Sequence, residues 1–148
     1  MDQAEILDAA IGALLRLLTI DERRLSSNLG AIPFNPIDLE TLSYLHRFPQ
    51  SLAKDVANHL GVRSTTMQSV IDRLYKRGLV TRDASALKGR AVALTLTKDG
   101  MAFRKHIQGQ NIENCLQMLA YINENERDVF VKNMATIAAR YSNKMVQG

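Results

Sequence analysis

Two short helical segments followed at once by an alternating segment constrain the fold more than any other feature of this sequence. Apolar residues recur at helical spacing over residues 51–60 and again over residues 64–78, and Gly61 and Gly78 are placed to end these helices. Apolar and polar residues then alternate, which predicts a β-hairpin over residues 79–97. Two short helices joined by a glycine turn and followed by a hairpin predict a helix-turn-helix with a wing.

The same pattern predicts the ends and the packed face of the two short helices. Ser51 and Ser64 stand before the two segments, where short hydroxyl side chains commonly cap a helix. A rotation of about 100° per residue places four apolar side chains of the second helix on one face, which is expected to pack on the domain. These residues are Met67, Val70, Ile71 and Leu74.

The hairpin has the layout of a wing. Its strands are predicted at residues 79–83 and 91–96, and its tip at residues 84–90 is small and basic. Alternation in the second strand predicts one apolar face, formed by Val92, Leu94 and Leu96.

Positive charge is concentrated in this same region. The chain has a formal net charge of +4, and residues 61–90 hold seven basic and two acidic side chains, so the rest of the chain is nearly neutral. Local basicity of this kind is typical of a surface that binds nucleic-acid phosphates. The alternative is a solvated helix face with an ordinary excess of lysine and arginine. Four Tyr, four Phe and no Trp argue against recognition of single strands by base stacking.

Length and composition predict one soluble globular domain. The chain has 148 residues, of which 46% are hydrophobic and 23% charged, both ordinary values for a folded domain. The acidic first fifteen residues do not resemble a secretory signal, and no apolar run reaches the ~18 residues of a transmembrane helix. Cys115 is the only cysteine, so no internal disulfide is possible, and its apolar neighbours predict a small buried side chain. We therefore expect a cytoplasmic protein with no membrane partner.

Catalytic signatures are missing from the sequence. The glycine-rich dinucleotide and phosphate loops, the zinc motif H-E-x-x-H and the hydrolase motif G-x-S-x-G do not occur. Asp55 and His59 are four residues apart on a predicted helix, a spacing that suits either a metal pair or an ordinary surface pair. The surface pair is the simpler interpretation. The sequence thus predicts a protein that is not an enzyme and has no cofactor or metal site.

Helices with surplus apolar surface flank the motif, so the fold is predicted to be mainly α with a small β-hairpin wing. Residues 3–29 and 130–145 each form a helical apolar stripe, together too broad for one small core to cover. Pro36 after Asn35 predicts the start of the helix before the motif, and Thr97 the start of the helix after it. The surplus predicts a homodimer. The predicted regions of this continuous domain are a dimerisation helix at 1–35, a winged helix-turn-helix at 36–97 and dimerisation helices at 98–148.

The second helix of the motif is predicted to read double-stranded DNA. In such a motif it lies in the major groove and offers short polar and basic side chains to bases and phosphates. Gln68 is suited to read adenine, whereas Asp72 is interpreted as orienting Arg73 or a neighbouring arginine, because a carboxylate repels phosphates. The basic wing tip is suited to the minor groove. The predicted DNA-binding residues are Ser64, Thr65, Thr66, Gln68, Ser69, Arg73, Lys76, Arg82, Lys88 and Arg90.

Residues 51–100 hold an ordered series of short marks. They are Leu52-Ala53, Val56-Ala57 and Leu60, then Asp72-Arg73-Leu74, Gly78-Leu79-Val80 with Arg82, and Leu96-Thr97 with Gly100. This series resembles the winged helix of the multiple-antibiotic-resistance regulator (MarR) family of bacterial transcription factors. No single mark is specific, but the ordered series over fifty residues is a strong signal. The flanking helices agree with the resemblance, since such proteins usually have one long N-terminal helix and two C-terminal helices that form a dimerisation bundle.

The wing departs from the family pattern. Where the family usually has Asp-Arg-Arg, this chain has Lys88-Gly89-Arg90. Arg90 matches the family's minor-groove arginine, and Lys88 replaces the aspartate that typically braces it. Glycine at position 89 predicts a more flexible tip.

The resemblance implies a homodimeric repressor on a pseudo-palindromic operator. It further implies release by a small organic ligand, often an aromatic or phenolic anion, bound between the dimerisation helices and the winged domain. The alternatives are a regulator without a ligand, a redox-responsive regulator that uses Cys115, and a winged helix used only for protein contacts.

Overall fold

The computed structural model of the protein describes residues 1–19, 36–84 and 91–147. The chain divides into two compact units, Met1–Asp38 and Leu39–Gly148. The elements are α1 (Gln3–Thr19), α2 (Pro36–Arg47), α3 (Ala53–Leu60), α4 (Ser64–Lys76), β1 (Val80–Asp83), β2 (Ala93–Leu96), α5 (Lys98–Ala120) and α6 (Glu124–Gln147). A mainly α fold with a β-hairpin is thereby confirmed.

The first helix begins with a reciprocal cap. The backbone N–H of Glu5 donates to the Asp2 carboxylate at 2.9 Å, and the backbone N–H of Asp2 donates to the Glu5 carboxylate at 2.8 Å. These bonds satisfy amide groups that have no partner within the helix. The predicted continuation to residue 29, and the cap at Asn35, lie outside the described residues. The predicted start of α2 at Pro36 is confirmed.

The core of the second unit lies where α2, α3, α4, the hairpin and α5 meet. All four residues predicted for the packed face of α4 are at most 3% exposed, so this prediction is confirmed. Full burial of an apolar side chain contributes about 1.5–3 kcal/mol, which fixes the rotation of α4 about its axis. The other buried apolar residues are Leu42, Leu45, Val56, Ala57, Leu79, Val80, Ala93, Leu94, Leu96, Phe103 and Ile107.

Glycines end the helices as predicted, but the two predicted serine caps are wrong. Gly61 follows α3 with φ of +67°, a left-handed conformation that glycine adopts without strain. The N-cap positions of α3 and α4 are Leu52 and Arg63, and neither side chain caps the helix. Ser51 instead pairs with the sheet, because its carbonyl accepts from the Leu94 N–H at 2.9 Å and its hydroxyl donates to the Phe48 carbonyl at 2.6 Å. Ser64 is the first residue of α4 and not its cap, because Arg63 before it has the extended conformation of a cap residue.

The two strands form an antiparallel hairpin, with Val80 opposite Leu96 and Asp83 opposite Ala93. The predicted apolar face is only partly correct. Leu94 and Leu96 are buried, but Val92 is 37% exposed. Val92 precedes the first paired residue of β2, so the strand ladder does not turn its side chain toward the core.

One tight joint connects the end of α4, the hairpin and the start of α5. The Thr97 hydroxyl accepts from the Gly100 N–H at 2.9 Å, as predicted for a cap, and donates to the Gly78 carbonyl at 2.6 Å. A Cβ atom at Gly100 would lie 2.0 Å from the Leu79 carbonyl oxygen, so only glycine fits there. The Arg77 guanidinium lies over the Phe103 ring of α5, 5.6 Å from its centroid.

Candidate nucleic-acid interface

The polar face of α4 points away from the core. Burial of Met67, Val70, Ile71 and Leu74 leaves the opposite side of the helix to solvent. The Ser69 hydroxyl donates to the Thr65 carbonyl at 3.2 Å, which shortens the reach of that side chain. Arg73 is half-buried on the flank of the helix. The predicted contact residues that are exposed on α4 are Ser64, Thr65, Thr66, Gln68, Ser69 and Lys76.

Gln68 lies at the edge of a groove between α3, α4 and the hairpin. The groove has a volume of about 470 Å³ and brings Gln68 together with Arg82 from β1 and Lys54 from α3. Lys54 is exposed and lies in the first turn of its helix, and the sequence pattern does not single it out because it lies outside the basic segment. Its position near a helix N-terminus is the one signal that suggests an anion-facing lysine. The apolar walls are Leu52, Ala53, Ile71, Ala91, Val92 and Leu94.

Arg82 connects the hairpin to α4. Its guanidinium forms a salt bridge with Asp72 and lies over the Tyr75 ring, 4.5 Å from the ring centroid. Asp72 thus pairs with an arginine, as interpreted from the sequence, and this arginine lies on β1. Lys88, Gly89 and Arg90 at the wing tip lie outside the described residues.

The histidine of α3 packs on an aromatic side chain of α2. The His59 ring packs on Tyr44 with centroids 4.9 Å apart, and Tyr44 packs on Phe48 at 5.0 Å. Within residues 1–19, 36–84 and 91–147, no group of three or more His, Cys, Asp or Glu side chains is placed to hold a metal ion. The aromatic contact gives the His59 ring a packing role, in keeping with the simpler, non-metal interpretation.

Apolar side chains remain exposed on the flanking helices. On α6, Met134, Ile137 and Tyr141 are 49–69% exposed, and they share one helix face. Cys115 is exposed, so its predicted burial is wrong. The physical reason is that the α5 core contacts end near Ile107, and residues farther along α5, such as Leu116, are uncovered. In the part of the chain that is described, no helix is both long and apolar enough to cross a bilayer.

Comparison with known proteins shows which family this chain is similar to. The MarR family model matches residues 32–91, which hold the helix-turn-helix and most of the wing. The HTH-type transcriptional repressor Rv2887 of Mycobacterium tuberculosis is 29% identical over 102 residues, which are 68% of this chain and 73% of the repressor. Over residues 32–91 the chain is therefore similar to the MarR family. PecS, an HTH-type transcriptional regulator of Dickeya dadantii, is 25% identical over 120 residues, covering 79% of this chain and 72% of PecS.

Solved structures share the fold of this protein. FabT of Streptococcus pneumoniae, solved in complex with DNA, has a TM-score of 0.77 at 19% identity, covering 96% of this chain and 99% of FabT. Rv2887 in complex with salicylic acid has a TM-score of 0.61 at 23% identity, covering 93% and 96% of the two chains. The MarR resemblance of residues 51–100 is confirmed, and the protein is a MarR-type DNA-binding transcriptional regulator.

Proposed function

We propose that the protein is a homodimeric repressor that binds a pseudo-palindromic operator and leaves it when a small organic anion binds. The observation that carries this proposal is the polar face of α4, which is exposed beside a groove that holds Lys54 and Arg82. A helix with this arrangement fits the major groove, with cations on its flank for the phosphates.

The predicted contact residues divide into groups with different roles in the proposal. Ser64, Thr65, Thr66 and Ser69 allow close approach of the α4 backbone to the groove, and Gln68 reads adenine through two hydrogen bonds. Phosphates are bound by Arg73, Lys76 and Arg82, and the minor groove by Lys88 and Arg90.

The exposed apolar faces support a homodimer. A contiguous apolar surface of this kind on a folded protein marks an interaction site. On α1, Ile6, Leu7, Ile11, Leu14 and Leu15 are 38–57% exposed, and α6 carries a second face. We assign residues 1–35 and 98–148 to the dimer interface, which places residues 36–97 of the two copies at successive half-sites.

Release by a ligand rests on the named relatives. Rv2887 carries the name of a repressor and has been solved in complex with salicylic acid. A ligand changes DNA affinity only if it binds the competent and incompetent forms of the dimer with different affinity. We therefore propose a small aromatic or phenolic acid as the effector and the cytoplasm as the location.

The test begins with footprinting of the purified protein on genomic DNA. We expect a protected site that overlaps a promoter and lower transcript yield from that promoter in a reconstituted reaction. Salicylate at 100 times its dissociation constant should stabilise the free dimer by about 2.7 kcal/mol and release the operator fragment. A panel of substituted benzoates extends the probe set.

The outcomes separate the parts of the proposal. Protection without a fall in transcript yield contradicts repression. Operator binding that no acid in the panel weakens favours the regulator without a ligand. Recovery of operator binding by a thiol reductant after oxidation favours control through Cys115.

A further inference from the structure

One arginine joins the wing strand to the recognition helix. Arg82 lies in β1 opposite Leu94, and its side chain crosses to α4, where Asp72 accepts a hydrogen bond from Nη2. Tyr75, three residues farther along the same helix, covers one face of the guanidinium, with Cζ 4.5 Å from the ring centroid. Two residues of α4 therefore fix the position of a cation that belongs to the wing.

The pair is open to solvent, so its role in stability is small. The side chains of Arg82 and Asp72 are 32% and 50% exposed, and exposed ion pairs contribute little to folding. A guanidinium has five N–H donors, so donors remain for a further acceptor after Asp72 has taken its bond. Arg82 also lines the groove that contains Gln68 and Lys54. The remaining N–H donors therefore belong to a side chain that lines the proposed interface.

We infer that Asp72 and Tyr75 are positioning residues that hold Arg82 ready for a DNA phosphate beside the base-reading Gln68. The inference rests on the proposed contact residues. Binding by a side chain that is already ordered avoids the loss of rotamer freedom, which is worth about two- to tenfold in affinity for a long side chain. A planar guanidinium suits this role because a carboxylate and an aromatic face together fix its plane.

The inference makes a prediction opposite in sign to simple electrostatics. Asp72→Asn removes a negative charge beside DNA, so charge alone predicts tighter binding. Loss of the partner that orients Arg82 predicts weaker binding instead. We expect Asp72→Asn to lower operator affinity by about three- to tenfold with little change in the thermal midpoint. Asp55→Asn, at an exposed acid on α3, is the matched control and should not weaken binding.

The aromatic contact is tested separately. Tyr75→Leu should lower operator affinity by about two- to fivefold, whereas Tyr75→Phe keeps the ring face and should retain it. In an Arg82→Ala background, neither Asp72→Asn nor Tyr75→Leu should weaken binding further, because both act through the same guanidinium.

Fluorescence anisotropy titrations of the full-length variants on the footprinted operator decide the outcome. Weaker binding by Asp72→Asn that disappears in the Arg82→Ala background supports the inference. Equal or tighter binding by Asp72→Asn overturns it and leaves the proposed function intact. Absence of specific duplex binding by the unmodified protein overturns both.

Discussion

Ile137→Asp is expected to convert the dimer to monomers and to lower operator affinity by about 10²- to 10⁴-fold. Ile137 lies at the centre of the exposed α6 face between Met134 and Tyr141. Burial of an unpaired carboxylate in an apolar interface is strongly unfavourable. Two linked half-site contacts gain about 10²- to 10⁴-fold in affinity over one, and a monomer loses this gain.

Thr136→Asp is the matched control for this prediction, because residue 136 is exposed and is rotated about 100° around α6 from Ile137. It introduces the same charge one residue away and should leave both the dimer and operator binding unchanged. Light scattering during gel filtration gives the mass, and an operator titration gives the affinity. Elution of the unmodified protein as a 16.5 kDa monomer at micromolar concentration would contradict the assignment of the interface.

Gly100→Ala is expected to lower the free energy of unfolding by about 1–3 kcal/mol, because the added Cβ overpacks a site that has no room. The Cβ would lie 2.0 Å from the Leu79 carbonyl oxygen, a backbone atom that Thr97 N–H also bonds at 3.0 Å. Neither side of this contact can retreat without breaking the joint between the hairpin and α5.

Gly109 provides the control in the same helix. A Cβ there would meet no atom within 4 Å, and alanine is a better helix former than glycine. Gly109→Ala should therefore raise the free energy of unfolding by about 0.5–1 kcal/mol. Urea unfolding followed by circular dichroism measures both variants. A Gly100→Ala variant as stable as Gly109→Ala would show that the joint is looser than its geometry indicates.

Local patterns correctly predicted the packed face of α4 and two of the neighbouring helix ends. The packed face of α4, the left-handed turn at Gly61 and the cap at Thr97 each depend on residues within about one helical turn. These features follow from spacing and backbone preference, which the sequence displays directly. The hairpin after α4 was predicted in the same way, from the change between helical spacing and strict alternation of apolar and polar residues.

Pairing between distant residues decided the features that were missed. The backbone of Ser51 pairs with Leu94 in β2, forty-three residues farther along the chain, and this long-range pairing holds Ser51 away from the cap position of α3. Lys54 lines the groove beside Gln68 only because α3 packs beside α4. The sequence indicated an arginine partner for Asp72, but the register of the hairpin selects Arg82.

The exposure of Cys115 has a different cause. Its apolar neighbours predicted burial, and that pattern describes an interface as well as it describes a core. Hydrophobic spacing identifies the helix face that is apolar, but the same spacing occurs whether that face packs within the chain or against another chain.

Selection from random duplexes by the unmodified protein and by Gln68→Ala tests most directly whether α4 reads sequence. We predict a two-fold symmetric site with half-site centres about one helical turn, ~34 Å, apart. The logarithm of the binding constant should fall linearly with the logarithm of the salt concentration, with a slope of about 0.9 per phosphate bound. Gln68→Ala should lose about 1–3 kcal/mol of discrimination at one base pair in each half-site. Enrichment of no sequence by the unmodified protein, or an unchanged preference in Gln68→Ala, would contradict the assignment of α4 as the reading helix.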